Sequence, residues 1–250
     1  LRGCKFASSA YIMSPALEGA FTMVMGHHSY HHDTSAFPYS YLIEKEGHSH
    51  LMPGANLTSF GAVRDIEKWP SRDRRTVCRD IINFEEYNPY VAGAMLEAVN
   101  ILHELEERDP DAQVYTYNKA IIRATALRRG LKLYNKAIVA ALGAMLGKGG
   151  FDPHYDGSGR WLDLAGQYIT RREVAAILDA VDRGELTTPA AVDNRFRVFA
   201  VHYDDYAHSW AKQVYAALLG HTPTVDEIDE AISAGHNAHA SMRRTTDADR

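Results

Sequence analysis

The fold prediction depends on residues 26–75, which read GHHSYHHDTSAFPYSYLIEKEGHSHLMPGANLTSFGAVRDIEKWPSRDRR. This stretch contains six of the 13 histidines and ends in an arginine-rich run. Short apolar runs punctuated by glycine and proline dominate up to its middle, whereas helical periodicity begins only after it. Because imidazole titrates near neutral pH, the stretch also holds most of the candidate residues for chemistry.

Residues 1–63 are predicted to form β structure. Short runs that favour strands, such as those at 21–25 and 39–43, are separated by glycine and proline, a pattern typical of strands and turns. Leu17 and Met23 are six residues apart, the spacing at which aliphatic residues recur on one face of a left-handed parallel β-helix. We therefore expect this segment to contain the terminal rungs of such a β-helix together with extended loops.

Residues 88–250 are predicted to form a helical domain, because apolar residues there recur at helical spacing and good N-cap residues mark helix starts. Residues 64–87 are charged and contain Trp69-Pro70, so we expect a basic connector that is neither strand nor helix. The predicted fold class is α+β, with the end of a left-handed parallel β-helix followed by an α-helical C-terminal domain. The predicted helix starts are at Asn88, about Asn118, Thr170, Thr188 and Thr224.

Composition argues against several classes of protein. The formal net charge is -5 and the pI is about 6.2, so we expect no nucleic-acid partner, which would require a basic surface. No window of about 18 uncharged apolar residues occurs, so no membrane span is expected. The two cysteines form neither a disulfide framework nor a CxxC pair, which is typical of a reducing cytoplasm. These features predict a cytoplasmic protein whose partner is a small-molecule substrate.

Four segments carry a resemblance to a known family: FPYSYLIEKEG (37–47), MPGANL (52–57), GAVRDIEKWPSRDRR (61–75) and DIINFEEYNPY (80–90). The chain resembles a family of large bacterial proteins of uncharacterised function with hexapeptide-repeat, left-handed β-helix character. The resemblance implies that most rungs precede this chain, which would then be the C-terminal part of a longer protein, as the Leu at position 1 also indicates. Through the fold, it implies a relation to acyl- and nucleotidyl-sugar transferases.

Histidines at the start of the stretch are candidates for a general base. A hexapeptide-type acyltransferase uses a neutral imidazole to take a proton from the acceptor, and the unperturbed histidine pKa of about 6.5 suits that role. A metal site and solvent-exposed loop histidines are the alternatives, although Gly26 disfavours the helix that would align imidazoles four residues apart. No metal ligand is assigned. The predicted catalytic residues are His27, His28, His31, His32 and the orienting carboxylate Asp33.

The basic run is predicted to bind the phosphate of a donor, because arginine presents a planar fork that suits phosphate. Acidic residues interleave with it and nearly balance its charge, so a salt-bridged hinge between the β part and the helices is the alternative. The turn at 53–56 would bring an amide side chain close to a ligand. The predicted substrate-binding residues are Asn56, Arg64, Lys68, Arg72, Arg74 and Arg75.

Together these features predict a hexapeptide-repeat transferase acting on a sugar or nucleotide-sugar substrate. The cofactor stays open between an acyl-CoA and a nucleotide-sugar donor. Two other functions remain alternatives: a non-catalytic scaffold or assembly protein, and a zinc-dependent hydratase or lyase that uses three imidazoles. A homo-oligomer such as a trimer is compatible with each of them.

Overall fold

The computed structural model describes residues 2–148, 152 and 154–249. The chain divides into two compact units. Unit 1 comprises Leu1–Pro70, Ala94–Val139 and Ala238–Arg250, and unit 2 comprises Ser71–Gly93 and Ala140–Asn237. Each unit therefore combines segments that are distant in sequence.

The strands of unit 1 are short and form two sheets. Six of them form a mixed sheet in the order β1-β3-β5-β6-β8-β7, in which β1, β3 and β5 pair in parallel, whereas β5–β6 and β7–β8 are antiparallel hairpins. Strands β2 and β4 form a parallel pair. The strands are β1 (Lys5–Phe6), β2 (Tyr11–Ile12), β3 (Met23–Met25), β4 (His27–His28), β5 (Tyr41–Lys45), β6 (His48–Met52), β7 (Val114–Tyr117) and β8 (Ala120–Arg123).

Helices account for about half of the described residues. The strands of unit 2 are β9 (Trp161–Leu164) and β10 (Gln167–Thr170), which form an antiparallel hairpin. No described helix has the length and apolar character needed to cross a membrane. The helices are a 3-10 helix (Ala55–Thr58), α1 (Phe60–Arg72), α2 (Pro89–Arg108), α3 (Ala124–Leu146), α4 (Arg171–Asp182), α5 (Pro189–Val201), α6 (Tyr203–Leu219) and α7 (Val225–Ala248).

The core of unit 1 lies against the six-stranded sheet. Leu42 on β5 and Leu51 on β6 are direct cross-strand partners and are fully buried. Tyr134 on α3 is also fully buried, and its hydroxyl donates a hydrogen bond to the Pro38 carbonyl at 2.7 Å. Burial raises the pKa of Tyr134, so the phenol stays protonated and keeps this bond.

The core of unit 2 is built around Trp161. Its ring meets Phe199 and Tyr203 edge to face, with centroid distances of 5.7 Å and 5.8 Å. Its indole N–H donates to the Gly157 carbonyl at 2.9 Å, which satisfies the one polar atom of the buried ring.

The predicted helix start near Asn118 is wrong, because Asn118 lies between β7 and β8 and α3 begins at Ala124. The other four predicted helix starts are confirmed. In each case the side-chain oxygen of the cap accepts a hydrogen bond from the backbone N–H three residues later, at distances between 2.9 Å and 3.3 Å. Such a bond satisfies one of the N–H groups that a helix start leaves without a partner. The caps are Asn88, Thr170, Thr188 and Thr224.

The predicted end of a left-handed β-helix is wrong. The described strands form a mixed sheet with two antiparallel hairpins and two small two-stranded sheets, and no β-helix is shown. The six-residue spacing that suggested a rung does not join equivalent positions, because Met23 lies in β3 whereas Leu17 makes an isolated bridge to Asp33. Two aliphatic residues at one spacing do not distinguish a repeat from short strands.

The predicted change from β structure to helix is also wrong in its position. Two hairpins, β7–β8 and β9–β10, lie inside the segment predicted to be helical, and α1 extends into the predicted connector as far as Arg72. Helix α1 contains Pro70, which has no backbone N–H to donate to the helix, and the helix ends two residues later at Arg72.

Candidate functional site

His28 is buried in unit 1 and holds two hydrogen-bonding partners. Its Nδ1 lies 2.8 Å from Ser49 Oγ on β6, and its Nε2 lies 3.1 Å from the Met25 carbonyl oxygen. Because a carbonyl only accepts, Nε2 carries the proton, and Nδ1 of the neutral ring accepts from the Ser49 hydroxyl. Burial lowers the pKa of His28 and favours this neutral form. With 0% of the residue exposed, His28 links β4 to β6 and is not accessible to a substrate.

Glu18 and His32 form a buried acid–base pair beside His28. Both side chains are 0% exposed, and Glu18 Oε1 lies 3.6 Å from His32 Nε2. Glu18 Oε2 accepts a hydrogen bond from the Thr34 hydroxyl at 2.7 Å, whereas Oε1 and both His32 ring nitrogens have no hydrogen-bond partner among the described residues. Burial raises the pKa of Glu18 to about 7 and lowers the pKa of His32. Both shifts favour the uncharged side chains.

His27 and His31 are the accessible members of the predicted catalytic set. Both residues are exposed, and His31 Nδ1 lies 3.2 Å from the Met13 carbonyl oxygen. Asp33 was predicted to orient an imidazole, but its Oδ1 accepts from the backbone N–H and the hydroxyl of Ser35, at 2.9 Å and 2.5 Å. The described contacts therefore assign this carboxylate to a local turn.

The first two residues of the basic run belong to unit 1. Arg64 and Lys68 lie four residues apart on α1 and so share one face of the helix. Arg64 contacts the carboxylate of its neighbour Asp65 at 3.2 Å, and Asp65 also contacts Lys5 on β1. This part of the run is thus tied to acidic residues.

The other arginines of the run belong to unit 2, and all of them are exposed. Arg75 pairs with Asp73 at 2.7 Å and with Asp80 at 3.2 Å. The hydrogen bond to Asp73 raises the pKa of the Arg75 guanidinium. Arg72 and Arg74 remain candidates for contact with an anion.

Asn56 lies in the 3-10 helix and is buried rather than directed to a ligand. Its side-chain amide donates to the Phe21 carbonyl at 2.6 Å, and its backbone N–H donates to the Tyr39 carbonyl at 2.8 Å. Both bonds fix the turn to the preceding strand region. Asn56 is therefore placed as a structural residue.

Metal binding has no site in the described part of the chain. Within residues 2–148, 152 and 154–249, no three side chains of His, Cys, Asp or Glu come together in a way that could hold a metal ion. The zinc alternative therefore has no ligand set among these residues.

Sequence reasoning missed Glu18. The sequence does contain a signal for Glu18, because no other Asp, Glu, Lys or Arg lies between Lys5 and Asp33. A single acid inside an apolar segment is either exposed at a turn or buried with a partner. The structure shows the second case.

Sequence reasoning also missed an apolar groove on unit 2, between α4 and α5. Its volume is about 470 Å³, and it is a shallow depression that is open to solvent. One helical turn before the groove-lining Val181 lies Leu178, which is 59% exposed. Other apolar side chains that line the groove are those of Leu186, Pro189, Val192 and Phe196.

A second cluster of titratable groups in unit 2 joins Tyr155 to His202. The Tyr155 hydroxyl lies 3.0 Å from His202 Nε2, and Asp205 lies 3.5 Å from His202 Nδ1. The two rings are stacked with only 15° between their planes, so the phenol oxygen approaches the imidazole from its face rather than along the nitrogen lone pair. The contact is therefore mainly ring packing and not a proton relay.

Two family models match separate parts of the chain. Residues 1–106 match a domain of unknown function, DUF4954, and residues 151–244 match a second domain of unknown function, DUF6819. Neither description names a hexapeptide repeat or a transferase, so the resemblance noted above stays a prediction. No curated protein and no solved structure matches the chain. The chain is thus similar in its first 106 residues to one domain of unknown function and near its end to another.

Proposed function

We propose that the chain acts as a non-catalytic assembly module, and that the groove face of unit 2 binds a second copy of the chain. The observation that carries this proposal is the exposed apolar surface of α4 and α5, with Leu178 59% and Val181 41% exposed beside the groove. Contiguous exposed apolar surface of this kind marks interaction sites more often than scattered single residues do.

The environments of His28, His32 and Asp33 argue against a catalytic role for these three predicted residues. His28 and His32 are buried, and the hydrogen bonds of His28 are taken up by Ser49 and the Met25 carbonyl. The carboxylate of Asp33 serves a turn. A general base needs an accessible nitrogen within hydrogen-bond reach of its substrate, which these two buried imidazoles lack.

The expected size of the effect follows from burial. Removing a leucine or valine side chain from water contributes about 1.5–3 kcal/mol, so Leu178 and Val181 can together anchor an association. A symmetric dimer would place the same face on both copies and so needs no complementary charge pattern.

Leu178→Glu tests the proposal, with Leu218→Glu on α6 as the matched control because Leu218 is 60% exposed. Size-exclusion chromatography with light scattering should show that the parent and the Leu218 variant associate with equal affinity. The Leu178 variant should dissociate at least about 30-fold more readily, since a disrupted central contact costs about 2 kcal/mol or more. A monomeric parent, or equal association of all three proteins, would contradict the proposal.

The transferase prediction is the competing function. It requires His27 or His31 as the base, because these are the accessible histidines of the predicted set. It also requires that the basic run bind a donor, which calorimetric titration of a variant with Arg72→Ala and Arg74→Ala tests.

A further inference from the structure

Glu18 and His32 flank a backbone bridge between two loops of unit 1. The Leu17 N–H donates to the His32 carbonyl at 3.0 Å, and the Thr34 N–H donates to the Leu17 carbonyl at 2.8 Å. A charge on either side chain would therefore lie next to this bridge. Because both side chains are 0% exposed, such a charge would also be without water.

The pair is close to forming a hydrogen bond but does not form one. The distance of 3.6 Å between Glu18 Oε1 and His32 Nε2 exceeds hydrogen-bond length, so a movement of less than about 1 Å would bring the two atoms into contact. Glu18 Oε1 has no other partner among the described residues, whereas Oε2 is already held by Thr34. Oε1 is thus the oxygen that can carry a proton.

We propose that Glu18 and His32 exchange a proton when unit 1 folds and the bridge between residues 17 and 34 closes. In the unfolded, open segment at mildly acidic pH, both groups face water as a carboxylate and an imidazolium. On closing, the proton leaves the His32 ring and is taken up at Glu18 Oε1, so that a carboxylic acid and a neutral imidazole are buried. One proton moves and none is taken from or given to solvent. The proposal concerns unit 1 and is independent of the assembly proposed for unit 2.

The exchange makes closure insensitive to pH, because two opposing effects cancel. Burial raises the Glu18 pKa from 4.5 to about 7, so Glu18 alone would make closure less favourable as the pH rises from 4.5 to 7. Burial lowers the His32 pKa from 6.5, so His32 alone would make closure less favourable as the pH falls below 6.5. Between about pH 4.5 and 6.5 a closed pair with a protonated Glu18 and a neutral His32 binds one proton, as does an open pair with a carboxylate and an imidazolium.

Other titratable groups face the pair and add their own pH dependence. They stay in place when either member of the pair is replaced, so comparison with the parent removes their contribution to first order. These groups are Cys4 and Asp33 around Glu18, His28 and His31 around His32, and His27 and Glu44 around His28.

Glu18→Gln and His32→Gln test the exchange, with Glu46→Gln as the control because the Glu46 side chain is 81% exposed. Urea-induced unfolding of each protein is measured between pH 5 and pH 6. Relative to the parent, the unfolding constant of the Glu18 variant should fall by a factor approaching 10 as the pH rises from 5 to 6. That of the His32 variant should rise by a similar factor. The control and the double variant should follow the parent.

Single variants that both follow the parent within about twofold would overturn the proposal. If either variant does not fold, carbon-13 NMR of glutamate-labelled parent protein at pH 6 decides instead. A protonated glutamate carboxyl is then expected, because burial raises the pKa of Glu18 to about 7. A spectrum in which every glutamate is ionised would overturn the proposal.

Discussion

Replacing His28 by Ala should destabilise unit 1 strongly, whereas the same change at the adjacent His27 should not. Loss of the His28 ring leaves the buried Ser49 hydroxyl and the partly buried Met25 carbonyl without their partner. Each unpaired buried group costs about 1–3 kcal/mol. The vacated space adds to this, since emptying a buried site of a large side chain costs about 2–5 kcal/mol. Because these costs overlap, we expect a loss of about 3–5 kcal/mol for His28→Ala and less than about 0.5 kcal/mol for His27→Ala.

Urea-induced unfolding at pH 7.5 measures this difference. At this pH the buried His28 is neutral, because burial lowers its pKa from an ordinary value of 6.5. Since the chain has two compact units, hydrogen exchange of residues 23–52 should accompany the urea curve, so that unfolding of unit 1 is followed separately. Equal stability of the two variants, to within about 1 kcal/mol, would refute a buried and hydrogen-bonded His28.

Two further predictions concern unit 2. A Cβ added at Gly157 would overlap the Tyr206 carbonyl, a backbone group that cannot turn aside, so Gly157→Ala should lower the Tm by at least about 4 °C in differential scanning calorimetry. Gly93→Ala is its control, because a Cβ there meets only the Trp210 ring at an ordinary distance of 3.8 Å, and its Tm should not fall. The double change Arg72→Ala and Arg74→Ala should weaken binding of a nucleotide-sugar or an acyl-CoA about tenfold or more in calorimetric titrations if the donor prediction is correct. A lower Tm with unchanged binding would instead favour the salt-bridged hinge. Arg183→Ala is the control for loss of charge, because Arg183 is an exposed arginine paired with Glu185.

The four capped helix starts were predictable from the sequence because their causes are local. Asn88 precedes Pro89, and Thr188 precedes Pro189, so each cap and its first helical residue stand side by side in the sequence. The cap bonds span only three residues, so no distant segment decides them.

The hairpins were missed because pairing between strands decides them. Strands β7 and β8 have four residues each, too few for a clear alternation of apolar and polar side chains. The turn of β9–β10 needs positive φ angles at Ala165 and Gly166, of 50° and 111°, and alanine gives no sequence signal for that. The same dependence on partners explains why a six-residue spacing was mistaken for a β-helix rung.

The location of the histidine cluster could be predicted, but the burial of each member could not. His27 and His28 are neighbours on β4, so their side chains point to opposite faces of the strand. The sequence implies this alternation without showing which face is covered. Glu18 meets His32 across a gap of 14 positions in the sequence, and no local pattern connects them.

The most direct test of the proposed assembly is hydrogen exchange of the parent protein at low and high concentration, with the mass of the particle measured at each. We predict that at high concentration the particle is a multiple of the 27.9 kDa chain and that exchange slows within residues 171–201, where α4 and α5 frame the groove. Exchange in these helices that does not change with concentration, together with a mass of 27.9 kDa throughout, would contradict the account.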